Sequence, residues 1–231
     1  MRQTLASDER YSRLTLRPLE SLVFISPLLL LFHIGSLTYG TGLLALRDLD
    51  RLLGFFGATA PYLPALLVVV VLLAQHQAHR YRWRIHGKVL LGMLAESVAW
   101  MVPLVAMSLL VGRGSLAAGG NEEGILRYLL IAAGAGIYEE FLFRLMMISL
   151  VMMIFVDVFE LNRDVVAVAA VLLASVVFSA YHLTGESFES FPWGLFAFRA
   201  VAGVYLSGLY VFRGFGIAVG AHVIYNLYVF L

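Results

Sequence analysis

Glu139, Glu140 and Arg144 stand in the run Tyr138-Glu139-Glu140-Phe141-Leu142-Phe143-Arg144, inside a largely apolar stretch from Ile125 to Phe159. A charged side chain at membrane depth costs about 2.5 to 3.5 kcal/mol on insertion scales. Three of them within six positions must therefore pair or do chemistry. On a helix Glu140 and Arg144 share a face at i,i+4 and can neutralise each other. Glu139 is rotated by about 100° from Glu140, which leaves it to face other groups. Further along, Phe178 and His182 stand four apart, as do His222 and Asn226, so each pair shares one helix face. A carboxylate, two imidazoles and an amide on three segments are the parts needed for hydrolysis. Glu139 can accept a proton from water as a general base. One histidine can orient that water or protonate the leaving amine. The other histidine, with the Asn226 amide, can donate hydrogen bonds to the developing oxyanion.

These groups can meet only if the chain is a membrane bundle. Of its 231 residues 61% are hydrophobic and 13% charged, against about half and a quarter in soluble domains. Apolar runs near the ~20 residues needed to span a bilayer recur throughout. The fold class is all-α, a polytopic transmembrane helical bundle in one domain over residues 1–231. The chemistry-bearing residues all fall in 125–231. The absence of cysteine removes disulfides, thiolate catalysis, thiolate metal ligation and palmitoylation. A net charge of +1 with no basic patch interleaved with aromatics gives no nucleic-acid partner.

In chain order, residues 1–20 form a polar tail with Arg2, Arg10, Arg13 and Arg17, and Ser21 to Gly40 is the first span. Thr41 to Thr59 mixes Arg47, Asp48, Asp50 and Arg51 with leucines, which suits a connector with a short interfacial helix. Pro61 to Gln77 is a second span. The following loop holds His76, His79, Arg80, Arg82, Arg84, His86 and Lys88, and its cations put it and the amino terminus in the cytoplasm. A solvated face towards lipid headgroups explains those histidines better than a metal site. Val89 to Gly112 is the third span. Its Glu96 is either functional or paired with an intramembrane cation, for which Arg199 is the candidate. Arg113 to Gly124 is a connector with Glu122 and Glu123. The run 125–159 is too long for one ordinary span, about 50 Å at 1.5 Å per residue, so a break is expected at Ala132-Ala133-Gly134-Ala135-Gly136. Asp164 to Leu183, Trp193 to Phe212 and Gly216 to Leu231 complete the set, with Glu186 and Glu189 in the loop before Trp193. This gives about eight membrane helices, or seven if the 125–159 run is one helix.

No His-Glu-x-x-His helix, Gly-x-Ser-x-Gly elbow or Gly-x-Gly-Asp run is present. The ordered trio Glu139-Glu140-x-x-x-Arg144, Phe178-x-x-x-His182 and His222-x-x-x-Asn226 resembles the CAAX-processing and bacteriocin-processing (CPBP) intramembrane endopeptidases, whose eukaryotic relatives are the type II CAAX prenyl endopeptidases. The resemblance covers roughly residues 125–231. It implies that Glu139 activates the water with His182 beside it, that His222 and Asn226 form the oxyanion site, and that Glu140, Arg144 and Phe178 support them. It also implies eight spans with Glu139 near the cytoplasmic side, the topology adopted as the expectation. The charge rule prefers seven, with Arg163 and Arg213 inside and Glu186 and Glu189 outside.

The expected activity is endopeptidase cleavage near the membrane-proximal or carboxy-terminal part of a protein or peptide substrate, by a glutamate-type mechanism without metal or other cofactor. Glu139, His182 and His222 would also meet zinc's three-ligand pattern, so zinc is the alternative. Two other functions stay open: a non-catalytic peptide-binding or bacteriocin-immunity protein, and a proton-coupled transporter using Glu96, Glu139 and the histidines as a relay. The expected partners are the substrate and the lipid bilayer, and the expected location is a multi-pass position in a bacterial inner membrane. The residues leave the oligomeric state open.

Overall fold

The computed structural model describes residues 11–39, 47–49, 51, 54, 62–111, 124–183 and 191–230. Most of the connector expected at 41–59, and Glu122, Glu123, Glu186 and Glu189, lie outside the described residues. The elements are α1 (Pro18–Tyr39), α2 (Leu63–Ala78), α3 (Gly87–Val111), α4 (Ile125–Val158), α5 (Arg163–Tyr181), α6 (Trp193–Arg213) and α7 (Phe215–Phe230). Each begins and ends within about two residues of its sequence expectation. Leu30, Ile34, Leu91, Leu94, Leu110, Val165 and Phe212 are exposed on these helices. That many bare apolar side chains require lipid as their solvent, so the protein is an integral, multi-pass membrane protein.

The long run is one helix. The expected break at Ala132–Gly136 is absent, so the described residues hold seven apolar helices, not eight: five of spanning length, plus the shorter α2 and α7. The small residues there serve helix contact instead. A Cβ on Gly136 would collide with the Val223 side chain of α7 and approach the Val223 backbone nitrogen at 3.2 Å. The irregularity comes later, as π-helical geometry over Phe141–Ile148 and Met153–Val158. The excess length is used by projecting the far end, where Met153, Phe155 and Val158 are exposed.

The core is organised around α7, which packs on α1, α3, α4 and α6. At 16 residues it is about 24 Å long, shorter than the ~30 Å hydrocarbon layer. Surrounding helices shield it, and every residue from Phe215 to Val223 is buried. Gly216 and Gly220 form a Gly-x-x-x-Gly face towards α1 and α3, the kind of small-residue seam that lets membrane helices approach closely. A Cβ on Gly220 would overlap Ser97, and one on Gly216 would overlap Met93 and lie 3.1 Å from the Ser21 Cα. The Gly216 N–H donates to Ser21 Oγ at 3.0 Å. Gly214, at φ +96°, turns the chain from α6 into α7 where its backbone meets the Thr15 carbonyl. At the start of α5 the Asn162 side chain caps the helix by accepting from the N–H groups of Asp164 and Val165, at 3.0 and 3.1 Å.

Three local expectations are corrected. Residues 11–20, read as part of a polar tail, pack into the bundle, with Leu14, Thr15, Leu19 and Glu20 buried. His76, read as part of a solvated face, is buried with Trp83 at 4.7 Å between ring centroids. Glu96 pairs with Arg213, not Arg199: Arg213 Nε donates at 2.8 Å to one carboxylate oxygen and Nη2 contacts the other. The fork geometry favours this pairing, and α3 and α6 bring those residues together at the end where α7 begins. Tyr11 packs under the Arg213 guanidinium, and burial together with Glu96 pushes its phenol up to about 12, so it stays neutral.

Helix polarity divides the molecule into two ends. Leu16, His79, Tyr81, Asp157, Arg163 and Gly214 line one cavity, so the basic loop, Arg163 and the α6–α7 turn share an end. The seven-helix alternative gives this arrangement, and the charge rule assigns that end to the cytoplasm.

The α3–α7 seam yields a stability prediction. Gly220→Val should lower stability in detergent by about 1 to 3 kcal/mol, the usual penalty for overpacking. In thermal unfolding, adding Ser97→Gly to Gly220→Ala should recover most of the loss caused by Gly220→Ala alone.

Candidate active site

Glu139 lies fourteen residues into α4, about 20 Å from its start, among the buried residues Ala132 to Phe141. The π-helical turn begins immediately after Glu140. Such turns widen the helix and recur at functional sites. Here Glu140 and Arg144 remain paired, with Nη1 to Oε1 at 3.2 Å and both side chains at 0% exposure.

Arg144 joins two further elements. Its guanidinium lies 4.3 Å from the centroid of the Phe178 ring on α5, and its Nη2 donates to the Gly203 carbonyl of α6 at 3.4 Å. Gly203 is itself a close-contact residue: a Cβ there would lie 3.0 Å from Ser175 Cα and Cβ. On α7, His222 Nδ1–H donates to Glu140 Oε1 at 2.8 Å. One buried carboxylate thus holds both an arginine and a histidine.

The second imidazole is oriented by backbone. His182 follows the last turn of α5, and its Nδ1–H donates to the Phe178 carbonyl at 2.9 Å, one of the acceptors left over at a helix C-terminus. With both Nδ1 atoms engaged, each ring turns Nε2 towards Glu139. His182 Nε2 is 3.4 Å and His222 Nε2 3.8 Å from Glu139 Oε2. That oxygen is buried and has no hydrogen-bond partner among the described residues. The first separation is at the long end for a direct hydrogen bond and the second is beyond it.

Glu139, Phe178, His182, His222 and Asn226 all line one cavity of about 300 Å³. It thus gathers the four residues expected to act, while Glu140 and Arg144 stand behind it. Leu104, Ile131, Ala135, Phe198 and Leu206 make much of the remaining wall apolar. Sequence reasoning missed two of the wall's polar groups. Arg199 lines the cavity and donates to the His182 carbonyl at 3.3 Å. Its position as a cation in an apolar helix was the available signal, but it was assigned to Glu96. Tyr181, also on the wall, donates to Asp48 Oδ2 at 2.6 Å, which brings the 47–49 segment to this end of the bundle. Nothing in the local pattern around Asp48 signals that contact.

The donor set has two imidazole nitrogens and a carboxylate oxygen, zinc's usual chemistry. Among the described residues, however, no group of three or more His, Cys, Asp or Glu side chains is arranged to hold a metal ion.

The family model for Type II CAAX prenyl endopeptidase Rce1-like matches residues 121–228, just under half of the chain and the part that holds all three motifs. No curated protein and no solved structure matches the chain.

The buried pair carries its own test. Arg144→Met leaves Glu140 buried with only the His222 hydrogen bond to hold it and should cost about 3 to 5 kcal/mol in thermal unfolding. Adding Glu140→Gln should be less damaging than the sum of the two single changes, because no isolated charge then remains.

Proposed function

We propose, with residues 121–228 recognised as an Rce1-like type II CAAX prenyl endopeptidase domain, that the protein is an intramembrane endopeptidase in which Glu139 activates water. The observation that supports this most directly is the convergence of two imidazole Nε2 atoms on one buried oxygen of Glu139, in a cavity that also holds Asn226.

In this reading a water sits in the cavity beside Glu139 and His182, within reach of both. Glu139 takes one of its protons while the unprotonated His182 Nε2 accepts a hydrogen bond from the other O–H and fixes its direction. The water oxygen bonds to the scissile carbonyl carbon, and the carbonyl oxygen becomes an oxyanion. His222 and the Asn226 amide donate to that oxyanion. Because His222 already donates Nδ1–H to Glu140, it needs a second proton to donate from Nε2, and the Glu140 carboxylate balances that charge. The C–N bond then breaks, and the proton held by Glu139 passes to the leaving nitrogen. The oxyanion re-forms the carbonyl, water is consumed, and a carboxylic acid and an amine are released, which separate as carboxylate and ammonium.

Glu139→Gln keeps the side-chain shape and removes the base. Processing should fall by about 10²-fold or more, the usual contribution of general-base catalysis, with unchanged thermal stability. Asn226→Ala should lower kcat by about 10²- to 10³-fold, the scale for loss of one oxyanion donor. The substrate for both assays comes from comparing termini of membrane proteins in cells with and without the gene. If Glu139→Gln processes at the wild-type rate, the catalytic assignment fails, and retained binding or protection would indicate a peptide-sequestering protein. Glu96, held by Arg213 at the far end, takes no part in a relay with Glu139. Activity should survive exhaustive chelation, and stoichiometric metal in active protein would favour zinc.

The substrate side follows from helix polarity. His182 and Asn226 lie near the ends of α5 and α7 opposite Arg163 and Gly214, so the cavity belongs to the half of the bundle away from the basic loop. Under the charge rule that half is extracytoplasmic, and the substrate class is a membrane-proximal or carboxy-terminal segment of an exported protein. We propose a bacterial inner membrane as its location. The chain has no native cysteine, so single-cysteine variants report topology directly. In intact cells an impermeant maleimide should label Trp193→Cys and leave Lys88→Cys unlabelled; the reverse pattern would turn the active site to the cytoplasm.

A further inference from the structure

The basic loop is more than an orientation signal. Residues 13 and 17 precede or begin α1, and residues 82 and 84 lie between α2 and α3, yet all four arginines line one recess of about 400 Å³ with Leu14 and His86. Among the described residues no carboxylate lines the recess. Glu20, which His86 contacts, is fully buried, accepting from Nδ1–H at 2.7 Å and from the backbone N–H at 3.5 Å. Glu20 thereby anchors the loop that bears Arg82 and Arg84 without presenting a charge to the recess. Arg17 is steadied by the Tyr81 ring, 5.4 Å from its centroid. Guanidinium groups gathered in this way form forked donors that match the oxygens of a phosphate.

The surroundings identify which phosphate. Arg82 and Arg84 alternate with Trp83 and Ile85, which are 57% and 56% exposed, and Leu16 beside Arg17 is 42% exposed. The recess therefore lies at the end of three apolar helices, α1, α2 and α3, with bare apolar side chains at its edge. Tryptophan beside cations is the usual signature of the headgroup layer. A free phosphate has no use for the apolar rim, and a zwitterionic headgroup would bring its own cation into a wall of guanidiniums.

We infer that the recess formed by Arg13, Arg17, Arg82, Arg84 and His86 is a binding site for the phosphate of an anionic phospholipid. The lipid's acyl chains would run down the outside of the bundle past Leu16, Trp83 and Ile85. The site is separate from the cavity around Glu139 and stands whether or not the protein is a protease. It also lies on the segment that supports α7: Thr15, Leu16 and Ser21 of the same stretch contact Gly214 and Gly216.

The test uses the full chain, purified in a neutral detergent and titrated with phosphatidylglycerol, phosphatidylcholine or inorganic phosphate. Native mass spectrometry reads retained lipid, and thermal unfolding reads stabilisation. Wild-type protein should retain one phosphatidylglycerol more tightly than phosphatidylcholine and be stabilised by it. Arg82→Gln with Arg84→Gln should weaken that retention by about tenfold or more, the scale of one charge-assisted hydrogen bond. Because both side chains are exposed on non-helical backbone, the variant should unfold at the wild-type temperature without added lipid. Arg82→Lys with Arg84→Lys keeps charge but loses the forked donors, and its retention should fall between the two. Arg127→Gln with Arg163→Gln, which removes equal charge elsewhere, should leave retention unchanged. Equal retention of the two lipids, equal loss in the Arg127/Arg163 control, or stabilisation by inorganic phosphate with no lipid retained would each overturn the assignment.

Discussion

Two full charges at zero exposure, Glu140 and Arg144, are the constraint on which the bundle depends. Neither is tolerable alone in a low-dielectric interior, since a buried charge without its partner costs several kcal/mol. Together they also do not close the account, because a carboxylate accepts several hydrogen bonds and a guanidinium donates five. Part of the remaining capacity is taken up from three directions: His222 on α7, the Gly203 carbonyl on α6, and the Phe178 face on α5, while Glu140 Oε2 and Arg144 Nε have no hydrogen-bond partner among the described residues. Each of those contacts requires its helix to sit at one height and one rotation relative to α4. In lipid, apolar packing alone specifies such register weakly, because lipid tails are as apolar as leucine. The polar knot specifies it, and through it the separation of Glu139 from the two imidazoles.

Glycine and geometry complete what the charges begin. Gly136 on α4, Gly203 on α6, and Gly216 and Gly220 on α7 are each points where a methyl group would strike another helix. They bring backbones close enough for short side chains to meet across the core. A short α7 can then be surrounded on all sides without exposing its ends to hydrocarbon. The helix that carries His222 and Asn226 is consequently the most enclosed of the set.

The residues that meet at the site could be read from their types and spacing because polar groups in apolar helices have few tolerable positions. Glu140 with Arg144, Phe178 with His182, and His222 with Asn226 are local relations that helical geometry imposes before any packing occurs. Relations between helices were less legible. Glu96 could have been matched with Arg199 or Arg213 on composition alone, and only the register of α3 against α6 decides for Arg213. The Ala132–Gly136 stretch was misread for a related reason. Small residues permit either a break or a close contact, and the presence of Val219 and Val223 opposite selects contact. The Tyr181–Asp48 bond and the convergence of residues 13–17 with 82–86 join segments far apart in sequence, and no periodicity announces them.

The composition of the site has a further logic in the proposed reaction. Glu139 and Glu140 face Arg144, His222 and, on the cavity wall, Arg199, so acidic and basic groups are matched across the site. When Glu139 accepts a proton it loses its charge, and the same charge reappears on the substrate oxyanion, beside His222 and Asn226. The reaction therefore relocates a negative charge across a few ångströms and creates none. In a low-dielectric cavity that difference is large, because making a new isolated charge there costs far more than moving one between prepared donors. Two adjacent glutamates are then two separate requirements. One orients the oxyanion donor, and the other cycles its proton. Asn226 is suited to its position because it donates without adding a charge that would upset the balance. An aspartate there would accept where a donor is needed, and a lysine would leave the resting site with an excess positive charge and favour Glu139 as a permanent ion-pair partner over its role as a base.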